Sequence, residues 1–111
     1  MQRIIKAFFY SFAGLHSAWQ SEAAFRLEVM GACVLIPAAF FLAPDKISLI
    51  LMVASLLLVM IVELLNTGIE AAINRIGSEI HPLSKKAKDT ASAAVLLSLL
   101  LAGFVWVVCL A

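Results

Sequence analysis

Glu63, Asn66, Thr67, Glu70 and Asn74 stand in the stretch VELLNTGIEAAINR, which follows the apolar run ISLILMVASLLLVMI with no turn residue between them. At 100° per residue these side chains, with Gly77, fall within about 100° of one another around one helix, while Leu64, Leu65, Ile69, Ala72 and Ile73 fill the rest of its surface. A carboxylate inside a membrane costs roughly a few kcal/mol and is seldom kept without a partner or a task. Glu63 lies deeper than Glu70, and Glu22 and Glu28 meet the same depth from the preceding apolar segment. Several carboxylates at one level suit a divalent cation such as Mg²⁺, which takes few protein ligands and completes its shell with phosphate oxygens and water. One carboxylate left over can then act as a general base. The plainer alternative is that Glu63 and Glu70 are interfacial glutamates whose heads reach the headgroup layer.

Lys88 and Asp89 add a cation and an anion at the foot of the last apolar segment, with Lys88 where a phosphate can reach it, whereas Lys85 and Lys86 read as the basic flank of a span. The chain contains neither a GxxxxGK[ST] nor a GxGxxG loop, so a nucleotide would be held without a glycine cradle.

Elements that cross or lie on a membrane must position these groups. Of 111 residues, 64% are hydrophobic and 14% charged, and the mean hydropathy is +1.08, which together describe a membrane protein rather than a soluble domain. The net charge of +1 excludes a strongly basic nucleic-acid surface. Cys33 and Cys109 sit in apolar runs without metal-ligand companions and read as small apolar residues rather than a disulfide. Hydropathy predicts spans over about 23–43, 47–69 and 92–111 of a single membrane domain. Arg3 and Lys6 begin an amphipathic segment rather than a cleavable signal, so the first span is expected to stay as an anchor.

That amphipathic segment, about residues 1–21, gathers Arg3, Lys6, Tyr10, Gly14, Ser17 and Ser21 within an arc of about 80° and sets Ile4, Ile5, Phe8, Phe9, Phe12, Leu15 and Trp19 opposite them. It is predicted to lie in the headgroup layer as a surface helix. Arg3 and Lys6, with Arg75, Lys85, Lys86 and Lys88, mark the amino terminus and the longer connection as cytoplasmic, against a lone Lys46 at the other turn. The polar stripe would then face the compartment that holds ATP.

The segments RIIKAFFYSFAGLHSAW, EAAFRLE, VMIVELLNTGIEAAINRIGSE and HPLSKKAKDTASAAVL resemble the prokaryotic diacylglycerol kinase family, over essentially the whole chain from Arg3. The resemblance implies an all-α integral membrane fold in the bacterial inner membrane, with an amphipathic surface helix and three transmembrane helices assembling as a homotrimer. It implies transfer of phosphate from MgATP to a membrane lipid alcohol at the cytosolic interface. On these positions it makes Glu63 the general base, Glu22 and Glu70 the cation ligands, and Asn66 an ordering residue of that site. It gives Glu79, His81, Lys88 and Asp89 to the nucleotide, with Arg3 and Tyr10 closing over it, and Trp19, Arg26 and Ser92 to the lipid. Sites shared between subunits would bring together carboxylates that do not meet within one chain.

Asn74, Lys85 and Ala91 depart from the family's pattern, Asn74 standing where many relatives carry an aspartate. NTGIE and HPLSKKAKD also look somewhat like the undecaprenol kinase branch, which runs the same chemistry on a polyprenol; RIGSE and EAAFRLE look more like the diacylglycerol branch. A small ion-coupled exporter and a non-enzymatic assembly partner are readings of other classes. An exporter would need its key carboxylate near mid-bilayer with water on both sides. Glu63 is instead toward one end of its span with its polar companions all on the same side, which favours the kinase.

Overall fold

The computed structural model describes residues 1–77 and 80–111. They form four helices: α1 Gln2–Ser21, α2 Ala23–Leu42, α3 Lys46–Ile76 and α4 Pro82–Leu110. The last three are long and apolar enough to cross a membrane. The chain is a multi-pass membrane protein, and α1 is the amphipathic helix that precedes the spans. Two helices outrun the predicted spans. α3 carries its helix on through the polar stripe to Ile76, and α4 begins at Pro82, well before the apolar part of its sequence.

Local chemistry explains where each helix starts. Glu22 is the whole connection between α1 and α2: its extended backbone (φ −118°, ψ 109°) stops one helix and starts the next. Its N–H donates to the Ala18 carbonyl at 2.9 Å and its own carbonyl accepts from the Arg26 N–H at 3.2 Å, so the break leaves neither group unpaired. The Asp45 carboxylate accepts from the Ser48 N–H at 2.8 Å and caps α3. At the head of α4, His81 Nδ1 accepts from the Leu83 N–H at 3.1 Å, with Pro82 in the first turn where its missing N–H costs nothing.

α3 is the central helix, packed on α4 along most of its length and on α2 over a shorter stretch. Its buried residues are Met52, Ser55, Val59, Glu63 and Asn66, one face running from the apolar middle of the membrane into the polar stripe. The neighbours bury mostly small residues, Ala32 and Ala39 on α2 and Ala91, Ser98 and Ala102 on α4, with Phe25 near the start of α2 the one large exception. Small side chains let backbones approach, which is how helices associate where no water is present to drive them together. Large residues such as Phe41, Leu97, Phe104 and Val107 point outward, where lipid is as good a solvent as protein. On α1, Phe8 stacks edge-on against Phe12 with centroids 4.9 Å apart, and Ile4, Phe8, Phe9 and Phe12 are exposed. That is the face expected to enter the acyl region.

Candidate active site

The polar stripe of α3 is the continuation of its packing face, so the carboxylates predicted to do chemistry point into protein rather than into lipid. Glu63 is only 4% exposed and Asn66 9%. Asn66 Nδ2 donates to Glu70 Oε1 at 3.2 Å, which holds the Glu70 carboxylate along the stripe, and Thr67 Oγ1 donates to the Glu63 carbonyl at 3.0 Å. Asn66 Oδ1 is buried with no hydrogen-bond partner, as is one oxygen of Glu28. Glu22 from the α1–α2 junction, Glu28 from α2 and Glu70 all lie within electrostatic reach of Glu63. Four carboxylates from three segments therefore gather around the polar stripe. Among the described residues, no three acidic, histidine or cysteine side chains close into a complete metal cage within one chain.

Glu63 and Glu70 lie two turns apart, about 10 Å along the axis. That separation suits two jobs, a proton acceptor at one level and a ligand for charge at the other.

Beyond the stripe, the last turn of α3 and the first turns of α4 enclose a cleft of about 460 Å³ lined by Asn74, Gly77, His81, Lys85, Lys88 and Asp89 among others. Lys88 Nζ donates to Asn74 Oδ1 at 2.8 Å across the two helices, and Lys85 bridges to Asp89 at 2.6 Å. Three of the residues that the resemblance assigns to nucleotide, His81, Lys88 and Asp89, thus share one cleft. Glu79 lies outside the described residues. Arg3 and Tyr10 share a separate shallow cleft with Lys6 near the start of α1.

A second cleft, about 550 Å³, separates α1 from α3; Ser11, Gly14, Ser17 and Ala18 form one wall and Leu64, Thr67, Gly68 and Ala71 the other. It opens beside Thr67, one turn from Glu63, and its walls are small and largely apolar. The side of α1 that carries Gly14 and Ser17 faces α3 here, while the phenylalanine face looks outward. Of the residues that the resemblance gives to lipid, Trp19 is 40% exposed and Ser92 is exposed on α4. Arg26 is otherwise engaged: its Nη1 donates to the Trp19 carbonyl at 2.7 Å and the Gln20 carbonyl at 3.1 Å, closing the carboxyl end of α1.

Sequence reasoning missed two of these relationships. Arg26 as a cap of the preceding helix is invisible until the chain reverses at Glu22. The Asn74–Lys88 bond joins the end of the polar stripe to a predicted phosphate contact. Its only sequence signal was that Asn74 shares the stripe with Glu63 and Glu70.

The family model described as prokaryotic diacylglycerol kinase matches residues 9–110. The diacylglycerol kinase of Haemophilus influenzae is 49% identical over 106 residues, covering 96% of this chain and 90% of that protein. That of Escherichia coli K12 is 49% identical over 108 residues, 97% of this chain and 88% of the relative. The Pseudomonas aeruginosa diacylglycerol kinase is 47% identical over 106 residues, 96% and 86% of the two chains. With the family model matching nearly the full length and these relatives 47–49% identical over almost the whole chain, the chain belongs to the prokaryotic diacylglycerol kinase family.

Proposed function

We propose that this chain is an ATP-dependent lipid kinase that phosphorylates the primary hydroxyl of diacylglycerol, giving phosphatidic acid, at the cytosolic interface of the bacterial inner membrane. The observation that carries the reading is Glu63, a carboxylate buried on the packing face of α3, one turn from the apolar α1–α3 cleft and on the same stripe as Asn66 and Glu70. A lipid entering from the acyl layer would bring its hydroxyl to Glu63 with its chains along the cleft beside Thr67 and Gly68. ATP would enter from water, its phosphates near Lys88 and the Asn66–Glu70 pair.

In this mechanism Glu63 accepts the proton of the lipid hydroxyl as that oxygen bonds to the γ-phosphorus and the bond between the γ-phosphorus and the bridging oxygen to the β-phosphate breaks, releasing ADP. Asn66 holds Glu70 in place through its amide, and Lys88 contributes positive charge to the phosphates. The donor set is oxygen only, Glu22, Glu70 and the unpartnered Asn66 Oδ1, which fits a hard divalent cation. Such an ion, Mg²⁺ in the cell, supplies neutralisation of phosphate charge when bound. The reading includes a homotrimer, as the family resemblance implies, in which a neighbouring subunit contributes to a site that no three acidic, histidine or cysteine side chains among the described residues complete.

The compared relatives are all named diacylglycerol kinases, which supports diacylglycerol over a polyprenol acceptor. The test is transfer of labelled γ-phosphate from MgATP by the purified protein in detergent micelles, with diacylglycerol and undecaprenol offered separately. Labelling of diacylglycerol is the expected result. Preferential labelling of undecaprenol would overturn the acceptor, and labelling of neither would overturn the reaction.

A further inference from the structure

Lys88 meets Asn74 Oδ1 at 2.8 Å, a neutral acceptor on the last turn of α3. The nearest acid in sequence, Asp89, is turned to Lys85 at 2.6 Å instead. Both pairs line the same α3–α4 cleft. Within that cleft the Lys85–Asp89 pair cancels its own charge, while Lys88 forms no ion pair among the described residues and its one hydrogen bond there, to Asn74, leaves two of its three N–H donors. His81 adds a second kind of donor: its Nδ1 accepts from the Leu83 N–H, which leaves Nε2 as the ring nitrogen that can donate. The cleft is thus a small cationic, donor-rich hollow whose key ammonium is tethered across two helices by an amide rather than by a carboxylate.

We infer that Asn74 is a positioning residue for nucleotide binding, fixing the Lys88 ammonium in the cleft without neutralising it so that its charge remains available to a phosphate. The inference deepens the proposed kinase reading and rests on it. Two physical points support it. A lysine side chain gives up rotamer freedom when it is fixed, so a tether already made in the free protein lowers the cost of fixing it on a phosphate. An aspartate at position 74 would hold Lys88 as firmly but would place a compensating charge at contact distance, which competes with the phosphate for the same ammonium. The amide tethers and leaves the charge free.

The experiment is a double-mutant cycle in the full-length protein in micelles, using Asn74→Ala, Lys88→Ala, the pair together, Asn74→Asp and Lys86→Ala as an exposed-lysine control. Two quantities are read: KM for ATP with kcat, and affinity for a fluorescent ATP analogue, which does not require turnover. Asn74→Ala is expected to raise KM for ATP and weaken analogue binding about three- to tenfold with kcat within about twofold, the size of one lost hydrogen bond. In the Lys88→Ala background the same substitution should have no further effect. Asn74→Asp should also raise KM, and should flatten the salt dependence of analogue binding because the net charge of the cleft falls. Equal effects of Asn74→Ala with and without Lys88, or a loss confined to kcat, would overturn the positioning role. A Lys88-dependent loss of analogue binding in a protein that labels no lipid would uphold the tether and overturn the kinase reading. Full lipid labelling with zero coupling between the two residues would do the reverse.

Discussion

Trp106 on α4 donates its indole N–H to the main-chain carbonyl of Met52 on α3 at 3.1 Å, and Ser55 Oγ donates to the same carbonyl at 2.8 Å. The Met52 side chain beside it is fully buried. A polar bond between two spans at this depth locks their register where apolar packing alone permits sliding. Trp106→Phe keeps an aromatic ring, though a smaller one, and removes the bond. It is expected to lower stability by about 0.6 kcal/mol, the average for such bonds between membrane helices, with lipid phosphorylation at moderate temperature unchanged. Denaturant unfolding in mixed micelles, followed by circular dichroism, checks this.

The two glutamates of the stripe should separate kinetically. Glu63→Gln removes the proton acceptor and should lower kcat by about 10²- to 10⁴-fold, leaving affinity for an ATP analogue nearly unaltered. Glu70→Gln should instead shift the Mg²⁺ titration to higher concentration. Normal turnover in the first variant would remove Glu63 from its role, and an unchanged titration in the second would remove Glu70 from its own.

Arg26 closes the end of α1 through the carbonyls of Trp19 and Gln20. Replacing it with alanine leaves those carbonyls without their cationic partner and should cost about 1 kcal/mol of local stability. The effect belongs to the α1–α2 junction rather than to the spans. Amide hydrogen exchange should therefore rise in the last turns of α1 while exchange in α3 stays as it was.

Phe9→Glu places a charge on the face of α1 that carries Phe8 and Phe12. The change should loosen the helix from the bilayer surface. Proteolysis near the amino terminus in lipid vesicles should be several-fold faster, with the cleavage rate in the rest of the chain unaltered.

Apolar run length and the helical repeat were both legible in this sequence. The apolar runs announced three spans and the alternating faces announced α1, because hydropathy and the 3.6-residue repeat are properties of neighbouring residues. The polar stripe from Glu63 to Asn74 was legible for the same reason, and the buried face of α3 follows it. Helix ends were less so: α4 starts at Pro82 because His81 and Pro82 make a favourable first turn, a capping effect that hydropathy does not register. The pairing of Lys88 with Asn74, the turning of Arg26 back onto α1, and the opening of a cleft beside Thr67 each depend on how two helices meet. Residue types and spacing by themselves determined which helices exist and which of their faces are polar. The tertiary structure alone decided the polar contacts between helices, Lys88 with Asn74 and Trp106 with Met52, because those join residues far apart in sequence and only the packing of α4 on α3 brings them together.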